Sequence, residues 1–208
     1  MTDSSVWQRA LGDRVEQLAP GLGQYFALPP VGTVGFGEGI YERAGSRVRW
    51  LWPVLAFMGR RRILFAEYGT DVPFTVTNTP TPEGTLRAVR TFNFPGRTRY
   101  MVDEMRIVDG YLHDFLGRRG GLEARLEIDV RDGMLHLTTS RLWLHLGPLR
   151  IPLPNLAHIR LTERSTSGGQ HVSVVLHSPV LGDWFEYTGS FGYRYVSSRD
   201  LPSAPFRR

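Results

Sequence analysis

Few side chains in this chain stand where they could do chemistry, and two of them are charges set among apolar neighbours. Arg90 interrupts the alternating set Leu86, Ala88, Phe92 and Phe94, and Glu104 falls in the set Tyr100, Val102 and Val108, beside Arg106. A charge on a buried strand face must be paired or hydrated. Arg90 and Glu104 are therefore either salt-bridged or outward-facing, or they are polar anchors in an apolar cavity with Glu38 and His177 as neighbours. In the second case Glu38, Arg90, Glu104 and His177 would hold the polar end of a ligand, with Glu104 and His177 as candidate acid/base groups.

Much other chemistry is excluded by what is missing. The chain has no Cys, hence no thiol nucleophile, no Cys-ligated metal and no disulfide framework. It has no GxxxxGK[ST] phosphate loop, no HExxH zinc helix and no GxSxG nucleophile elbow. The stretch GFGEGIYE from Gly35 copies part of a nucleotide-loop spacing, but no helical pattern follows it. His171 and His177 share a strand face about 20 Å apart, too far to grip one ion. No cofactor and no metal site is expected.

A second group of residues is the run WLWPVLAFM from Trp50 to Met58, followed by Gly59 and the triplet Arg60, Arg61, Arg62. It is about half the length of a membrane-spanning helix. It reads either as a short buried helix or as a wedge for a membrane surface or partner protein, touching through Trp50, Trp52, Leu55, Phe57, Arg60, Arg61 and Arg62. All 25 basic residues are Arg, giving a formal charge of +5. A bias so complete reads as base composition more than as surface adaptation. The arginines are interrupted by acidic residues and not interleaved with aromatics on one strand face, so no nucleic-acid partner is expected.

The elements that would position these residues are mostly strands. Val6, Trp7, Ala10, Leu11, Val15 and Leu18 recur at helical spacing, predicting an amphipathic helix over 5–18, capped by Ser4 or Ser5 and stopped at Pro20-Gly21. Beyond the apolar run the period changes to two. Leu122, Ala124, Leu126, Ile128 and Val130 alternate with charged residues, and Asp132-Gly133 turns that strand into Met134 to Leu146. Asp109-Gly110 predicts another hairpin, Asn78 to Gly84 a turn, and the proline-rich 147–156 stretch a crossing over an end of the sheet. Gly35, Gly37 and Gly39 share one strand face, which either admits a close neighbour or marks bends.

With no crossover helices, these strands predict a mainly β fold: a curved antiparallel sheet forming a barrel or a sandwich, with an N-terminal helix and one short apolar helix plugging an end or covering a face. Residues 1–196 read as one domain and 197–208 as a loose tail. The polar residues Met1 to Asp13 lack the order of a signal peptide, so a cytoplasmic protein is expected.

The order of fragments resembles the bacterial family known as domain of unknown function 4166. The matching pieces are Ala10-Leu11-Gly12, the Gly35 to Glu42 strand, Asp71-Val72-Pro73-Phe74 and Arg90-Thr91-Phe92. They continue through the Gly133 to Leu146 strand, Ile151-Pro152-Leu153-Pro154, Ser178-Pro179-Val180-Leu181-Gly182 and Tyr187-Thr188-Gly189. The chain departs from the family pattern in having no His between Tyr25 and Val34, and Ala88 where a Trp is expected. The resemblance implies a domain that stands alone or follows a saccharopine-dehydrogenase-like domain, and implies no activity.

The function these residues point to is binding of an apolar or amphipathic small molecule between β-sheet faces. The alternatives are a cofactor-independent isomerase, cyclase or hydrolase on such a molecule, and a membrane-peripheral or protein-interaction domain. The sequence sets no oligomeric state.

Overall fold

The computed structural model describes residues 4–154 and 157–200. Its strands are β1 (Thr33–Gly45), β2 (Tyr68–Pro80), β3 (Leu86–Phe94), β4 (Arg97–Val108), β5 (Tyr111–Leu116), β6 (Leu122–Arg131), β7 (Met134–Leu146), β8 (Leu149–Leu153), β9 (His158–Thr166), β10 (Gly169–Ser178) and β11 (Gly182–Ser197). Neighbours in sequence pair antiparallel except β8 and β9, β11 pairs with β1, and β7 bridges β6 to β9. The sheet therefore closes on itself as an up-and-down barrel of ten strands, which leaves no long free edge. Of the two arrangements open from the sequence, the barrel is the one formed.

Short turns account for the register. Asp109-Gly110 and Asp132-Gly133 both take positive φ at both residues, at 50° and 81° and at 52° and 74°. That is the two-residue turn whose twist suits a hairpin. The 78–84 segment is a correction: Asn78 and Thr79 still belong to β2, with Asn78 buried, and the turn begins after Pro80. The proline-rich stretch is a second correction. Leu149–Leu153 forms β8, which pairs only with the far half of β7 and hangs beside the closed barrel as an edge strand, where proline is tolerated. Residues 155–156 of that stretch lie outside the described residues, as do residues 201–208 of the expected tail.

Each end of the barrel carries a plug. At one end sit α1 (Val6–Leu11), two 3-10 turns (Gly12–Gln17 and Pro20–Leu22) and α2 (Gly23–Phe26). Ser5 caps α1 in a full capping box with Gln8. The continuous helix expected over 5–18 is interrupted because Gly12 takes a positive φ of 56°, after which the chain tightens into a 3-10 turn. The buried Val6, Trp7, Leu11, Leu18 and Leu22 still face the core, so the apolar stripe does the work expected of it. Arg14 donates to the Ile128 carbonyl and the Ala19 amide to that of Gly133, tying this plug to the β6–β7 end. At the other end α3 (Trp52–Arg60) and the link to β2 bring Leu55, Ile63, Leu64 and Phe65 inward.

The glycine face of β1 looks into the barrel. A side chain at Gly35 would strike Tyr193, one at Gly37 would meet Val76 and Phe191, and one at Gly39 would collide with the Ser190 carbonyl of β11. These glycines are needed for close approach. Gly39→Ala is expected to destabilise the fold by about 3 kcal/mol or more, because its obstacle is backbone, and Gly37→Ala by less, because flexible side chains can yield there. Thermal or denaturant unfolding of the two variants tests the order; equal, small effects would contradict it.

Candidate functional site

Alternation decides which charges enter the barrel. On β3 the inward set is Leu86, Ala88, Arg90, Phe92 and Phe94, so Arg90 is inside. On β4 the inward set is Met101, Asp103 and Met105, which puts Glu104 outside. The partner of Arg90 is accordingly Asp103, bonded through Nη1 to Oδ1 with the two side chains 13% and 1% exposed. Asp114 on β5 and Glu163 on β9 face the same interior, with the phenols of Tyr25, Tyr41 and Tyr187 around them.

The other three expected contacts lie on the outer wall. Glu38 bonds Arg194 at 2.6 Å, Glu104 bonds Arg87 at 2.7 Å, and His177 Nδ1 lies 2.8 Å from Asp183. Glu38 is outward because the glycines beside it take the inward positions. Glu104 is outward because a period of two leaves Asp103 and Glu104 on opposite faces. His177 stands near the β10–β11 turn, one position off the inward set Val172, Val174 and Leu176. None of the three meets Arg90. Asp103, Asp114 and Glu163 are the residues that reading by sequence missed, although Asp103 sits between Met101 and Met105, and Asp114 between Leu112 and Leu116.

The interior charges are tuned by burial. Desolvation raises the pKa of Asp103 even beside Arg90, and raises that of Asp114 far more, with the Asp103 charge adding to it. Arg90 keeps its proton in any protein setting. The cluster is thus an arginine–aspartate pair with Asp114 beside it, its carboxyl pushed toward the protonated form. Burial also lifts Glu163 to about 7, against the opposing pull of Arg90, and Tyr187 to about 12. Three carboxyl oxygens, Asp103 Oδ2, Asp114 Oδ1 and Glu163 Oε2, are buried with no hydrogen-bond partner among the described residues.

Beside this cluster runs a cavity of about 70 Å³, lined by Arg90, Asp114 and Tyr187 on its polar side and by Met101, Met105, Leu126, Leu137, Ile159 and Leu176 elsewhere. Ile63 and Leu64 of the α3 plug also border it. A larger recess of about 320 Å³ lies outside the barrel proper, between the N-terminal plug and the β2–β3 turn, lined by Trp7, Leu28, Val31 and Leu86. Among the described residues, no charged group lines it. Among the described residues, no three His, Asp or Glu side chains are grouped to hold a metal ion.

A second cluster, on the outer wall, is a clamp. Glu123 of β6 receives His113 Nδ1 at 2.7 Å, His145 Nε2 at 2.6 Å and a two-pronged contact from Arg150 of β8 at 2.7 and 2.9 Å. Arg150 also lies over the Trp143 ring. All the lone pairs of Glu123 are used, so this carboxylate fastens β8 and has no acceptor capacity left for a ligand. Burial opposes its charge, yet bonds from Arg150, His145 and His113 hold its pKa down to about 2.

The α3 residues divide in two. Leu55, expected on a contact surface, is buried in the plug because it faces the barrel, while Trp50, Trp52, Val54 and Phe57 are exposed. The helix is thus not the wholly buried one that was an alternative reading. Arg60, Arg61 and Arg62 line an open cleft with Arg118 and Arg119.

These features define a closed, doubly plugged antiparallel β-barrel with ionisable groups buried in its centre. The chain belongs to the family described as domain of unknown function (DUF4166), whose sequence profile matches residues 18–191. The resemblance carried by the ordered fragments is borne out. It is also 30% identical over 142 residues to the uncharacterized protein YndH of Bacillus subtilis (strain 168), covering 62% of this chain and 69% of that protein. No solved structure matches the chain.

Two pH effects follow. The folded chain holds the Glu163 proton up to about pH 7 and the unfolded chain only to about 4.5, so this group makes stability fall as pH rises between those values. Glu163→Gln should be more stable than wild type at pH 8, by on the order of 3 kcal/mol, with the difference vanishing near pH 4. His171, whose pKa burial lowers, contributes a slope of opposite sign, so the comparison with the variant isolates Glu163. Denaturant titrations at the two pH values read this; a pH-independent difference would refute it. Glu123 acts the other way, stabilising fully above about 4.5 and losing its contribution as pH falls towards 2. Glu123→Gln should shrink the acid-induced loss measured over that range.

Proposed function

We propose that this barrel binds a compact amphipathic small molecule whose apolar part lies against Met101, Met105, Leu126, Leu137 and Leu176. The observation that carries the reading is an apolar cavity with Arg90 and Asp114 in its wall, where Asp114 Oδ1 is buried without a hydrogen-bond partner among the described residues. Native proteins leave few such atoms unpaired, and those that remain ask for an explanation. Asp103 already engages Arg90, so the groups with bonding capacity to spare are carboxyls. Carboxyls that burial pushes toward the protonated form both donate and accept, so the matching polar head is a neutral group such as an alcohol, amine or amide rather than an anion.

Size bounds the ligand. The cavity of about 70 Å³ is smaller than the engineered apolar cavity of roughly 150 Å³ that admits benzene. A molecule of more than a few heavy atoms requires the Ile63–Leu64 segment to shift outward. A second reading, acid/base chemistry on the same molecule, is favoured by Glu163: a buried carboxyl titrating near 7 suits proton transfer at neutral pH. A cytoplasmic setting accords with a chain that has no cysteine to oxidise.

The test is native mass spectrometry of gently purified protein, followed by extraction and identification of anything bound. A stoichiometric amphipathic molecule is expected. Removing Arg90 alone would strand Asp103 and destabilise the fold by about 3–5 kcal/mol, so the informative variant is Arg90→Met with Asp103→Leu, which removes the pair together. That variant should fold and lose the molecule, as should Leu137→Phe, which fills the cavity. A folded wild type that is empty and takes up no alcohol or amine from a probe series would sink the reading. Turnover of the bound molecule that disappears in Glu163→Gln would move the weight to the enzyme.

A further inference from the structure

The α3 end of the barrel combines two surfaces that an ordinary protein wall keeps apart. Trp50, Trp52, Val54 and Phe57 stand 67%, 57%, 55% and 55% exposed along one short helix and its lead-in. Single exposed apolar residues are normal, but four large ones together are not. Directly beside them Arg60, Arg61, Arg62, Arg118 and Arg119 line an open cleft whose remaining walls are Val89 and Val102, with no acidic residue among them. The two surfaces are continuous, since the Arg61 guanidinium lies over the Phe57 ring, 5.1 Å from its centroid.

The backbone holds this arrangement in place. The Arg118 amide donates to the Arg61 carbonyl at 2.8 Å and the Val102 amide to that of Arg62 at 3.0 Å, fastening the arginine triplet to β4 and to the loop after β5. Arg62 and Arg119 both take positive φ, at 61° and 70°, a conformation uncommon for residues other than glycine. Arg62 loses proton affinity through burial and through the nearby Arg118, so like charges are held close together.

From this juxtaposition we infer that the α3 end of the barrel docks on an anionic membrane surface, with Trp50, Trp52, Val54 and Phe57 entering the interface and the five arginines meeting lipid phosphates. Charge complementarity selects the occupant: a concentrated set of guanidiniums calls for a dense anionic field. Shape selects a bilayer over a folded partner, because the apolar residues project from a convex helix, which a fluid interface accommodates without a matching groove. Trp beside Arg is the side-chain combination that suits the headgroup boundary. Among the described residues no helix is long and apolar enough to cross a membrane, and α3, with nine residues, lies on the surface. The same plug that faces the bilayer supplies Ile63 and Leu64 to the barrel cavity.

The experiment is co-sedimentation of the full chain with vesicles of phosphatidylcholine alone and with 30% phosphatidylglycerol (about one lipid in three, to give a strong surface potential), at low and high salt. Wild type should partition onto the anionic vesicles, at least tenfold less onto neutral ones, and release as salt rises. Trp52→Ser with Phe57→Ser, and separately Arg60→Glu with Arg119→Glu, change exposed side chains and should leave the unfolding midpoint near that of wild type. Each pair should lower partitioning at least tenfold. The proposal is overturned if wild type ignores anionic vesicles, or if either folded variant binds them as wild type does. It is also overturned if the serine variant instead turns a dimer into a monomer, which would assign the face to a second copy of the chain. The Arg90→Met, Asp103→Leu variant should keep vesicle binding, so loss of the interior ligand and loss of docking are separately visible.

Discussion

The guanidinium of Arg90 is a permanent charge inside a barrel walled by aromatic and aliphatic side chains, and such a charge survives folding only where a carboxylate meets it. Asp103 does so from the neighbouring strand. The requirement reaches further than the pair. It ties the inward face of β4 to Met101, Asp103 and Met105, and a slip of one residue would bring Glu104 inward and send Asp103 to solvent. It also sets the protonation of what lies nearby. Burial, with the negative charge at Asp103 adding to it, pushes the Asp114 carboxyl toward its protonated form, and burial brings the pKa of Glu163 close to neutrality. Burial thus opposes the gathering of negative charge in the interior.

Closure of the barrel is the second constraint, and it explains the plugs. Ten strands leave two open ends, and each is filled by a segment that would otherwise lie unpartnered: residues 4–32 at one end and the α3 region at the other. The β1 glycines and Gly189 of β11 let those strands approach closely, making room for Tyr193 and Phe191 to pack inside. The ends differ in character. The N-terminal plug is fixed by backbone bonds to the β6–β7 hairpin, whereas the α3 plug buries Leu55 and leaves large apolar residues and arginines outside. The outer clamp at Glu123 shows the same electrostatic logic as the centre, with a buried carboxylate again met on every side, but there the valences are saturated.

What the sequence by itself determined was whatever depends on neighbours along the chain. The Asp132-Gly133 and Asp109-Gly110 hairpins, a serine cap at Ser4 or Ser5, the apolar stripe from Val6 to Leu18 and the mainly β class are local, because turn chemistry and alternation act over a few residues. The anomaly at Arg90 was legible for the same reason, as a charge between Ala88 and Phe92. The tertiary structure alone decided which face of each strand became the inside. Met101, Asp103 and Met105 form as regular an alternation as Tyr100, Val102 and Glu104, and Glu38 sits between Phe36 and Ile40 yet points outward because the glycines take the inner face. That choice is made by closure, when β11 meets β1 and β7 joins β6 to β9, and the contacts that make it lie far apart in the chain. The partner of Arg90, the pairing of Glu123 with Arg150 and the meeting of the arginine triplet with Arg118 and Arg119 come from the same long-range step, because charges recognise each other across space and carry no periodic signature along a strand.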